Sequence, residues 1–321
     1  MNKKEAEIKM NKLGENKTPF LFIIDFEMQN SIVLPLNKLI KNNIFYSFNE
    51  KTNFRTIKSV ADFSFSAEKL KFNTYKKSFD FVMQNILKGN SYLVNLTAQT
   101  KIFSTYNLLE LFYLSRAKYK LYYDDNFIFF SPETFIQITD NQIFSFPMKG
   151  TINANILNAE KIILSDEKET AEHYTIVDLI RNDLNIVAKN VKVDKFRYID
   201  KILTSNKNLL QVSSKISGFL DKNFSNKIGD IIFSLLPAGS VSGAPKKKTV
   251  EIILDAETYK RGFYTGVAGI FDGRNVDSCV MIRFIQKNNG NLYYKSGGGI
   301  TSTSKLENEY NELNDKIYIP F

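Results

Sequence analysis

The stretch NFIFFSPETFIQITDNQIFSFPMKGT, residues 126–151, packs three apolar strand patterns into a short length of chain. Residues 126–130 and 135–139 each form a run rich in Phe and Ile, and a third run ends at Phe146. Ser131-Pro132-Glu133 separates the first two runs, which is typical of a turn. The stretch therefore predicts consecutive antiparallel strands joined by short turns.

The rest of the chain mixes further strand patterns with long helical ones. Runs rich in Ile, Val, Phe and Tyr predict strands at 20–26, 91–100, 191–197, 210–217, 263–271, 276–286 and 291–296. Amphipathic patterns predict helices at about 67–89, 166–189, 227–236, 245–261 and 304–317. Hairpins mixed with long helices favour an α+β fold over a parallel βαβ array.

Three segments follow from composition along the chain. Residues 1–18 are polar and Lys-rich and predict a loosely ordered leader. Residues 19–69 predict a short β-containing region, and residues 70–321 the main domain. With 321 residues, 43% of them hydrophobic, the chain can bury a substantial core.

Missing apolar segments, the single cysteine and the charge distribution limit where the protein can be located and which partners it can bind. It has no apolar run of membrane-spanning length and no signal-peptide core at its start. The single cysteine excludes an internal disulfide, so we expect the reducing cytoplasm. The net charge of +9 is spread among acidic residues and forms no basic face, so we expect neither a nucleic-acid nor a membrane partner.

One histidine and one cysteine exclude several catalytic classes. His173 is the only histidine and Cys279 the only cysteine, so zinc sites built from these residue types cannot form. Cys279 lies in an apolar strand pattern that predicts a core position. A Cys–His glutamine-hydrolysing site within this chain is therefore not expected.

The predicted helix at 166–189 carries two carboxylates on an unusual face. Glu169 and Glu172 share a side with the apolar positions Ile176, Ile180 and Val187. Buried carboxylates need a counter-charge, so this pair indicates a cleft wall. The alternative for Glu169 is a capping role three residues after Asp166.

The last helix offers a second carboxylate pair. Glu309 and Glu312 flank an apolar face made of Leu306, Tyr310, Leu313 and Ile317. Two pairs on two helices can converge on one hard cation, and Mg²⁺ prefers oxygen ligands. The alternative is a solvated flank, because this spacing is common.

Lys149 and Glu133 are candidate catalytic groups. Lys149 lies between Pro147-Met148 and Gly150-Thr151, where burial or a neighbouring cation could lower its pKa and make the amine a nucleophile. Glu133 lies upstream and could pair with it as an acid. Taken alone, the local pattern favours a solvated charge at a strand end for Lys149 and a surface turn residue for Glu133.

Two further features indicate anion binding. Gly297-Gly298-Gly299 follows a strand pattern and could turn backbone N–H groups towards an anion, or simply connect a strand to a helix. Arg283 is a charge inside an apolar strand pattern, where an arginine usually faces a carboxylate of the protein or of a ligand.

Taken together and in order, these segments resemble the chorismate-utilising enzymes. The resemblance runs from about residue 70 to the end, and each motif is weak singly. The matching runs are SYLVNLT (91–97), SPE (131–133), PMKGT (147–151), EHYTIVDLIRNDL (172–184), GSVSGAPK (239–246), YTG (264–266), IR (282–283) and GGGI (297–300), with Glu309 and Glu312. The resemblance implies a chorismate-binding fold of largely antiparallel sheets packed face to face with helices outside.

Within that family the lysine of PMKGT resembles aminodeoxychorismate synthase component I. Anthranilate, isochorismate and salicylate synthases look like Pro-x-Ala-Gly-Thr there. Isochorismate and salicylate synthases also carry a water-activating lysine where this chain has Leu93. The resemblance thus implies amination of chorismate to 4-amino-4-deoxychorismate in folate biosynthesis; anthranilate synthase component I and isochorismate or salicylate synthase are the alternatives.

The resemblance also implies roles for individual residues. Lys149 would form a covalent adduct and Glu133 would protonate the leaving hydroxyl. Mg²⁺ would be held by Glu169, Glu172, Glu309 and Glu312. The substrate would be bound by Thr151, Tyr264, Arg283, Gly297, Gly298, Gly299 and Lys316. Ammonia would come from a separate glutaminase subunit in a heterodimer, or from free ammonium.

A basic RNA-binding protein without enzymatic activity is the non-enzymatic alternative.

Overall fold

Two antiparallel sheets dominate the structure, a computed structural model that describes residues 1–55, 63–203 and 208–321. The strands of the first sheet are β1 (Phe20–Ile24), β2 (Ser31–Pro35), β9 (Thr134–Thr139), β10 (Gln142–Ser145), β11 (Met148–Asn153), β12 (Lys189–Leu203), β13 (Asn208–Phe219), β15 (Val267–Phe271) and β16 (Val276–Val280). The strands of the second are β3 (Ile44–Phe48), β4 (Lys51–Thr52), β5 (Phe65–Glu68), β6 (Leu93–Ser104), β7 (Tyr119–Tyr123), β8 (Phe127–Ser131), β14 (Gly243–Ala244), β17 (Phe284–Asn288) and β18 (Asn291–Ile300).

Within the described residues, α-helices precede the first strand, follow the last and connect several of the others. They are α1 (Lys3–Glu15), α2 (Phe72–Leu87), α3 (Leu108–Leu114), α4 (Ala159–Ser165), α5 (Glu167–Val187), α6 (Ile228–Leu235), α7 (Lys246–Ala256) and α8 (Leu306–Asp315). The five helices predicted from the sequence correspond to α2, α5, α6, α7 and α8. None of the helices in the described ranges is long and apolar enough to cross a membrane.

The apolar side chains sort into layers because successive residues of a strand point to opposite faces. On β1, Leu21 and Ile23 join a core shared with strands of the second sheet, including Phe129 and Phe284. The other face of β1 joins a core with α1, α5 and α6. Helices α2, α7 and α8 cover the second sheet. The predicted α+β class, with face-to-face sheets and outer helices, is confirmed.

The expectation of a loosely ordered leader at residues 1–18 is wrong. Asn2 caps α1 by accepting a hydrogen bond from the N–H of Glu5, and the carboxylate of Glu5 in turn accepts one from the N–H of Asn2. Ala6, Met10 and Gly14 are buried, with α1 packed on α6. The lysines occupy the solvent side of this helix, and their number made the segment look polar although it has a narrow apolar face.

The predicted region at 19–69 is not separate from the remainder of the molecule. Strand β1 pairs with β15, and β3 pairs with β7, so residues 19–69 extend both large sheets. Residues 65–68 form β5 against β6, and for this reason α2 begins at Phe72 and not near residue 67. Residues 56–62 lie outside the described residues.

The single strand predicted at 276–286 is two strands in different sheets. Strand β16 pairs with β15 and β9 in the first sheet, and β17 pairs with β18 and β8 in the second. Arg283, placed inside a strand by the sequence pattern, lies at the crossing with φ of 53°. A continuous apolar run carries no mark of such a crossing, because both halves are buried.

Lys295 on β18 is a buried lysine whose charge opposes folding at neutral pH. It is 2% exposed and donates to the carbonyl of Arg261 at 2.8 Å. Burial lowers the pKa of Lys295 to about 7, while the nearby carboxylate of Glu257 partly opposes this. The unfolded chain therefore binds more protons than the folded protein between about pH 7 and the ordinary lysine pKa, so stability rises with pH across that window.

We expect Lys295→Met to remove this rise. Relative to the variant, the unchanged protein should gain about 1–2 kcal/mol in free energy of unfolding between pH 7 and pH 9. Denaturant unfolding of both proteins at the two pH values measures it. A difference that stays constant, or falls with pH, would contradict the lowered pKa.

Candidate active site

Lys149 reaches the cleft from β11 because the chain bulges beside it. The pairing of β11 with β13 shifts register between Lys149 and Thr151, and Gly150 at the shift has φ of 78°. A side chain at Gly150 would be strained by this backbone and would approach the Oε2 of Glu169 to 3.2 Å. Glycine thus lets the strand lie against helix α5.

The amine of Lys149 contacts the carboxylate of Glu172 on α5. The Nζ to Oε2 distance is 2.6 Å; about 27% of the lysine side chain and 7% of the glutamate side chain are exposed. Burial alone would lower the pKa of Lys149, but the carboxylates of Glu172, Glu169 and Glu312 outweigh it and raise that pKa. The lowered pKa considered from the sequence is therefore not what the protein without ligands shows: Lys149 is an ammonium there.

The two glutamates of α5 face the cleft as their spacing predicts. Glu172 is 7% exposed, and Glu169 lies next to Gly150. The side chain of Asp166 accepts a hydrogen bond from the N–H of Glu169 at 2.9 Å, so the capping interpretation is also right for the backbone at this position. The cap uses the N–H of Glu169, which leaves its carboxylate for the cleft.

The second carboxylate pair, on α8, converges on Gly298. A Cβ at Gly298 would lie 3.5 Å from an oxygen of Glu309, 3.5 Å from an oxygen of Glu312 and 3.7 Å from Nζ of Lys316. Glu309 is 4% exposed and accepts a hydrogen bond from Ser304, so it is not the solvated flank residue of the alternative interpretation. The missing side chain of Gly298 leaves open space beside these groups.

The triple glycine does not turn the chain. All three residues lie in β18 and pair with β6. A Cβ at Gly297 would come within 2.5 Å of the carbonyl of Leu96, so the strands approach too closely for a side chain there. Both interpretations of this motif from the sequence, a turned anion loop and a strand-to-helix connection, are thus wrong. The three glycines are a paired part of β18 that lines the cleft, and we call them the glycine floor.

Lys316 follows the last residue of α8, and its amine contacts both the glycine floor of β18 and a carboxylate of α8. Its Nζ donates to the carbonyl of Gly297 at 2.8 Å and contacts Glu312 at 2.6 Å. Burial lowers the pKa of Lys316, and the positive charges of Arg283 and Lys149 lower it further, against the opposing effect of Glu312. Lys316 and Lys149 therefore lie within electrostatic reach of each other.

Arg283 adds a cationic group, and Tyr264 lies near it. The guanidinium of Arg283 lies 5.5 Å from the ring centre of Tyr318 and donates from Nε to its hydroxyl at 3.4 Å. Tyr264 is 3% exposed, and burial raises its pKa, an effect that the positive charges of Arg261 and, to a lesser extent, Arg283 oppose. A cationic group between the two sheets is suited to a carboxylate ligand.

Glu133 follows Ser131 and Pro132 at the end of β8. It accepts a hydrogen bond from the hydroxyl of Ser240, and its N–H donates to Ser131 at 3.1 Å. Burial raises the pKa of Glu133, while Ser240, Arg283 and Lys316 act in the opposite direction. A carboxyl group with a raised pKa is suited to donate a proton.

The structure thus brings the predicted residues together around one cleft, through Lys149, Glu172, Glu312, Lys316 and Arg283. Thr151 contributes backbone to β11, and its side chain lies outside the described residues. The sequence interpretation missed Ser240 and Tyr318. Ser240 lay in a quoted motif, GSVSGAPK, but nothing in its local pattern indicated a bond to Glu133, 107 positions away.

The four glutamates fit magnesium in the kind of donor they provide. They are carboxylates, the ligands that Mg²⁺ prefers, and Lys149 lies within electrostatic reach of both helices that carry them. In the described part of the chain, no three acidic, histidine or cysteine side chains are already grouped closely enough to hold a metal ion. Magnesium thus stays a proposal.

Several known proteins are similar to this chain over most of its length. An uncharacterized PabA-like protein of Haemophilus influenzae is 48% identical over 310 residues, 97% of this chain and 94% of that protein. A second PabA-like protein, from Pasteurella multocida, is 47% identical over 312 residues, covering 97% and 96%. Anthranilate synthase component 1 of Acetivibrio thermocellus is 32% identical over 286 residues, 86% of this chain and 56% of that protein.

A solved structure supports the fold independently of sequence. The menaquinone-specific isochorismate synthase MenF of Escherichia coli matches 98% of this chain and 81% of its own with a TM-score of 0.76, at 17% identity. The model of the chorismate binding enzyme family matches residues 33–320. The chain therefore belongs to the chorismate binding enzymes and is an enzyme that acts on chorismate.

Proposed function

We propose that this enzyme is an aminodeoxychorismate synthase component I, which converts chorismate and ammonia to 4-amino-4-deoxychorismate. The observation that carries the proposal is the primary amine of Lys149, 2.6 Å from Glu172 and between two acidic helices. A lysine here supplies a nucleophile that an alanine at the same position would lack. The two most extensive of the matches described above are PabA-like proteins, not anthranilate synthases.

The reaction would proceed in two displacements. The neutral amine of Lys149 attacks ring carbon 2, both ring double bonds shift, and the 4-hydroxyl leaves as water with a proton from Glu133. Ammonia then adds at carbon 4, both double bonds shift back, the amine of Lys149 leaves carbon 2, and a proton of the added ammonia returns to Glu133. Arg283, Tyr264 and Lys316 would hold the substrate carboxylates against the glycine floor of β18.

Glu169, Glu172, Glu309 and Glu312 would hold a magnesium ion. When bound, the ion would supply charge neutralisation for the ring carboxylate and the acidic residues, which favours a neutral amine at Lys149. This proposal would explain why carboxylates lie close to a residue that must lose its proton: without the ion, Glu172, Glu169 and Glu312 raise the pKa of Lys149.

Ammonia would come from a separate glutaminase subunit. Cys279 is fully buried in the core between the sheets, and burial raises its pKa well above the ordinary value, so it is unsuited to attack glutamine. His173 is bonded to Ser214 at 2.7 Å. We expect the isolated chain to use ammonium salts, and a partner to replace them with glutamine.

Product identification tests the proposal. The protein is incubated with chorismate, Mg²⁺ and ammonium chloride, and the products are separated and weighed by mass spectrometry. We expect 4-amino-4-deoxychorismate, which a lyase then converts to 4-aminobenzoate. Anthranilate as the product would favour the second candidate, which the 32% identity to an anthranilate synthase component supports. Isochorismate or unchanged chorismate would also contradict the proposal.

Metal removal should abolish turnover. After treatment with EDTA and removal of the chelator, we expect chorismate consumption to fall by at least about a hundredfold, because like charges of substrate and glutamates then remain uncompensated. Added Mg²⁺ should restore the rate, and Na⁺ at equal ionic strength should not. A rate indifferent to EDTA would refute the metal assignment while leaving the role of Lys149 open to its own test.

A further inference from the structure

The loop between α6 and α7 carries a serine that holds Glu133. The hydroxyl of Ser240 donates to Oε1 of Glu133, although the two residues belong to distant parts of the chain. The loop itself is fixed at this point. The hydroxyl of Ser242 donates to the carbonyl of Ala238 at 2.8 Å, and the N–H of Ser242 donates to the carbonyl of Gly239. Ser240 is therefore presented by a defined backbone.

A small cavity lies between Glu133 and the helices α5 and α6. It measures about 30 Å³, and its lining includes Glu133, Ser240, Asp183 and Leu184. A buried water needs roughly 10–15 Å³, so about two waters can occupy this space. Without the bond on Oε1, the carboxyl group would have room to turn out of its present position.

We propose that Ser240 is a positioning residue that keeps the carboxyl group of Glu133 directed into the cleft for proton donation to the leaving hydroxyl. The assignment rests on the proposed function for its catalytic meaning, and on the hydrogen bond and the cavity for its geometry. No bond is made or broken at Ser240: its hydroxyl donates to one oxygen of Glu133, and the other oxygen carries the proton that is transferred.

The charges around Glu133 define what Ser240 contributes. Arg283 and Lys316 lower the pKa of Glu133, and the Ser240 bond lowers it too, against the larger effect of burial, which raises it. Burial is the main cause of the raised pKa values of Tyr264 and Cys279, and Glu133 raises both a little further. Asp183, on the cavity wall, is paired with Lys246 at 2.8 Å. Loss of the Ser240 hydroxyl should therefore raise the pKa of Glu133.

The activity test compares Ser240→Ala with Ser240→Thr, which keeps a hydroxyl. A general acid must be protonated, so activity falls as pH rises through its pKa. For Ser240→Ala we expect kcat to fall about tenfold and the alkaline limb of the kcat/KM profile to move to higher pH, with KM for chorismate little changed. Ser240→Thr should restore both, and Glu133→Gln should lose the limb altogether.

Ser242→Ala is the matched control. It removes a serine hydroxyl from the same loop, but one that bonds backbone and not Glu133. If the effect of Ser240→Ala were only a loosened loop, Ser242→Ala would lower activity similarly. We expect its pH profile to keep the alkaline limb of the unchanged protein, whatever its stability.

A direct titration makes the proposal independent of turnover. The carboxyl signal of ¹³C-glutamate-labelled protein that disappears in Glu133→Gln is followed against pH by NMR. We expect the signal to titrate at higher pH in Ser240→Ala than in the unchanged protein and in Ser240→Thr. The same titration in Ser240→Ala and the unchanged protein would overturn the assignment. A shifted titration in a protein that does not consume chorismate would sustain it and reject the proposed function.

Discussion

Replacing Lys149 with alanine should reduce formation of 4-amino-4-deoxychorismate by at least about a thousandfold. The amine is the proposed nucleophile, and no second route to the covalent intermediate exists once it is gone. Lys149→Ala also leaves the carboxylate of Glu172, 7% exposed, without the ammonium that contacts it. Loss of activity in this variant alone could thus reflect a disturbed site.

Lys149→Arg separates the two causes. Arginine preserves a positive charge beside Glu172 but is not a nucleophile, since its guanidinium stays protonated in proteins. We expect Lys149→Arg to unfold at a temperature close to that of the unchanged protein and still to lose activity. Lys189→Ala, at a lysine whose side chain is 78% exposed, serves as the unaffected control. Steady-state assays of product formation by mass spectrometry decide it: substantial turnover by Lys149→Arg would refute the nucleophile.

Replacing Arg261 with methionine should cost about 3–5 kcal/mol of folding free energy. Arg261 and Glu257 are each 2% exposed and are joined by two contacts, 2.9 Å from Nε and 2.6 Å from an amino group. Arg261 also donates to the carbonyls of Val241 and Asn95, and so ties the loop before α7 to strand β6. The substitution leaves a buried carboxylate without its cation, the costly way to break such a pair.

Arg274→Met is the matched control for Arg261→Met. Arg274 contacts Asp140 at 2.7 Å, but the two side chains are 78% and 69% exposed, so this pair should contribute less than about 1 kcal/mol. Denaturant unfolding of both variants at neutral pH gives the comparison. Similar losses of stability in the two variants would show that the buried pair is not what fastens this loop to the sheet.

Part of the site could be predicted from the sequence, because helical periodicity shows which side of a helix carries its carboxylates. Helical spacing put Glu169 and Glu172 on the same side as the apolar residues of α5, and the structure has that side facing Lys149. The strands around residues 126–151 were predictable for the same reason: alternation and turn residues are local signals. The assignment of roles came from the resemblance to a family, which the comparisons confirm at the level of the family.

The remaining features depend on contacts that local patterns do not encode. The crossing at Arg283 joins two buried strands with no break in hydrophobicity, and the bond from Ser240 to Glu133 spans 107 positions. The direction of the pKa shift at Lys149 depends on carboxylates of α5 and α8, which are distant in sequence. Burial alone would have predicted the opposite sign, because it favours the neutral amine.

The intact mass of the protein during turnover tests the central claim most directly. The chain is mixed with chorismate and Mg²⁺ without ammonium, quenched in acid and weighed, and the modified peptide is sequenced. The account predicts a protein heavier by one chorismate less one water, with the modification on Lys149 and none in Lys149→Arg. An unmodified protein that still forms 4-amino-4-deoxychorismate when ammonium is added, or the same adduct on another residue, would contradict it.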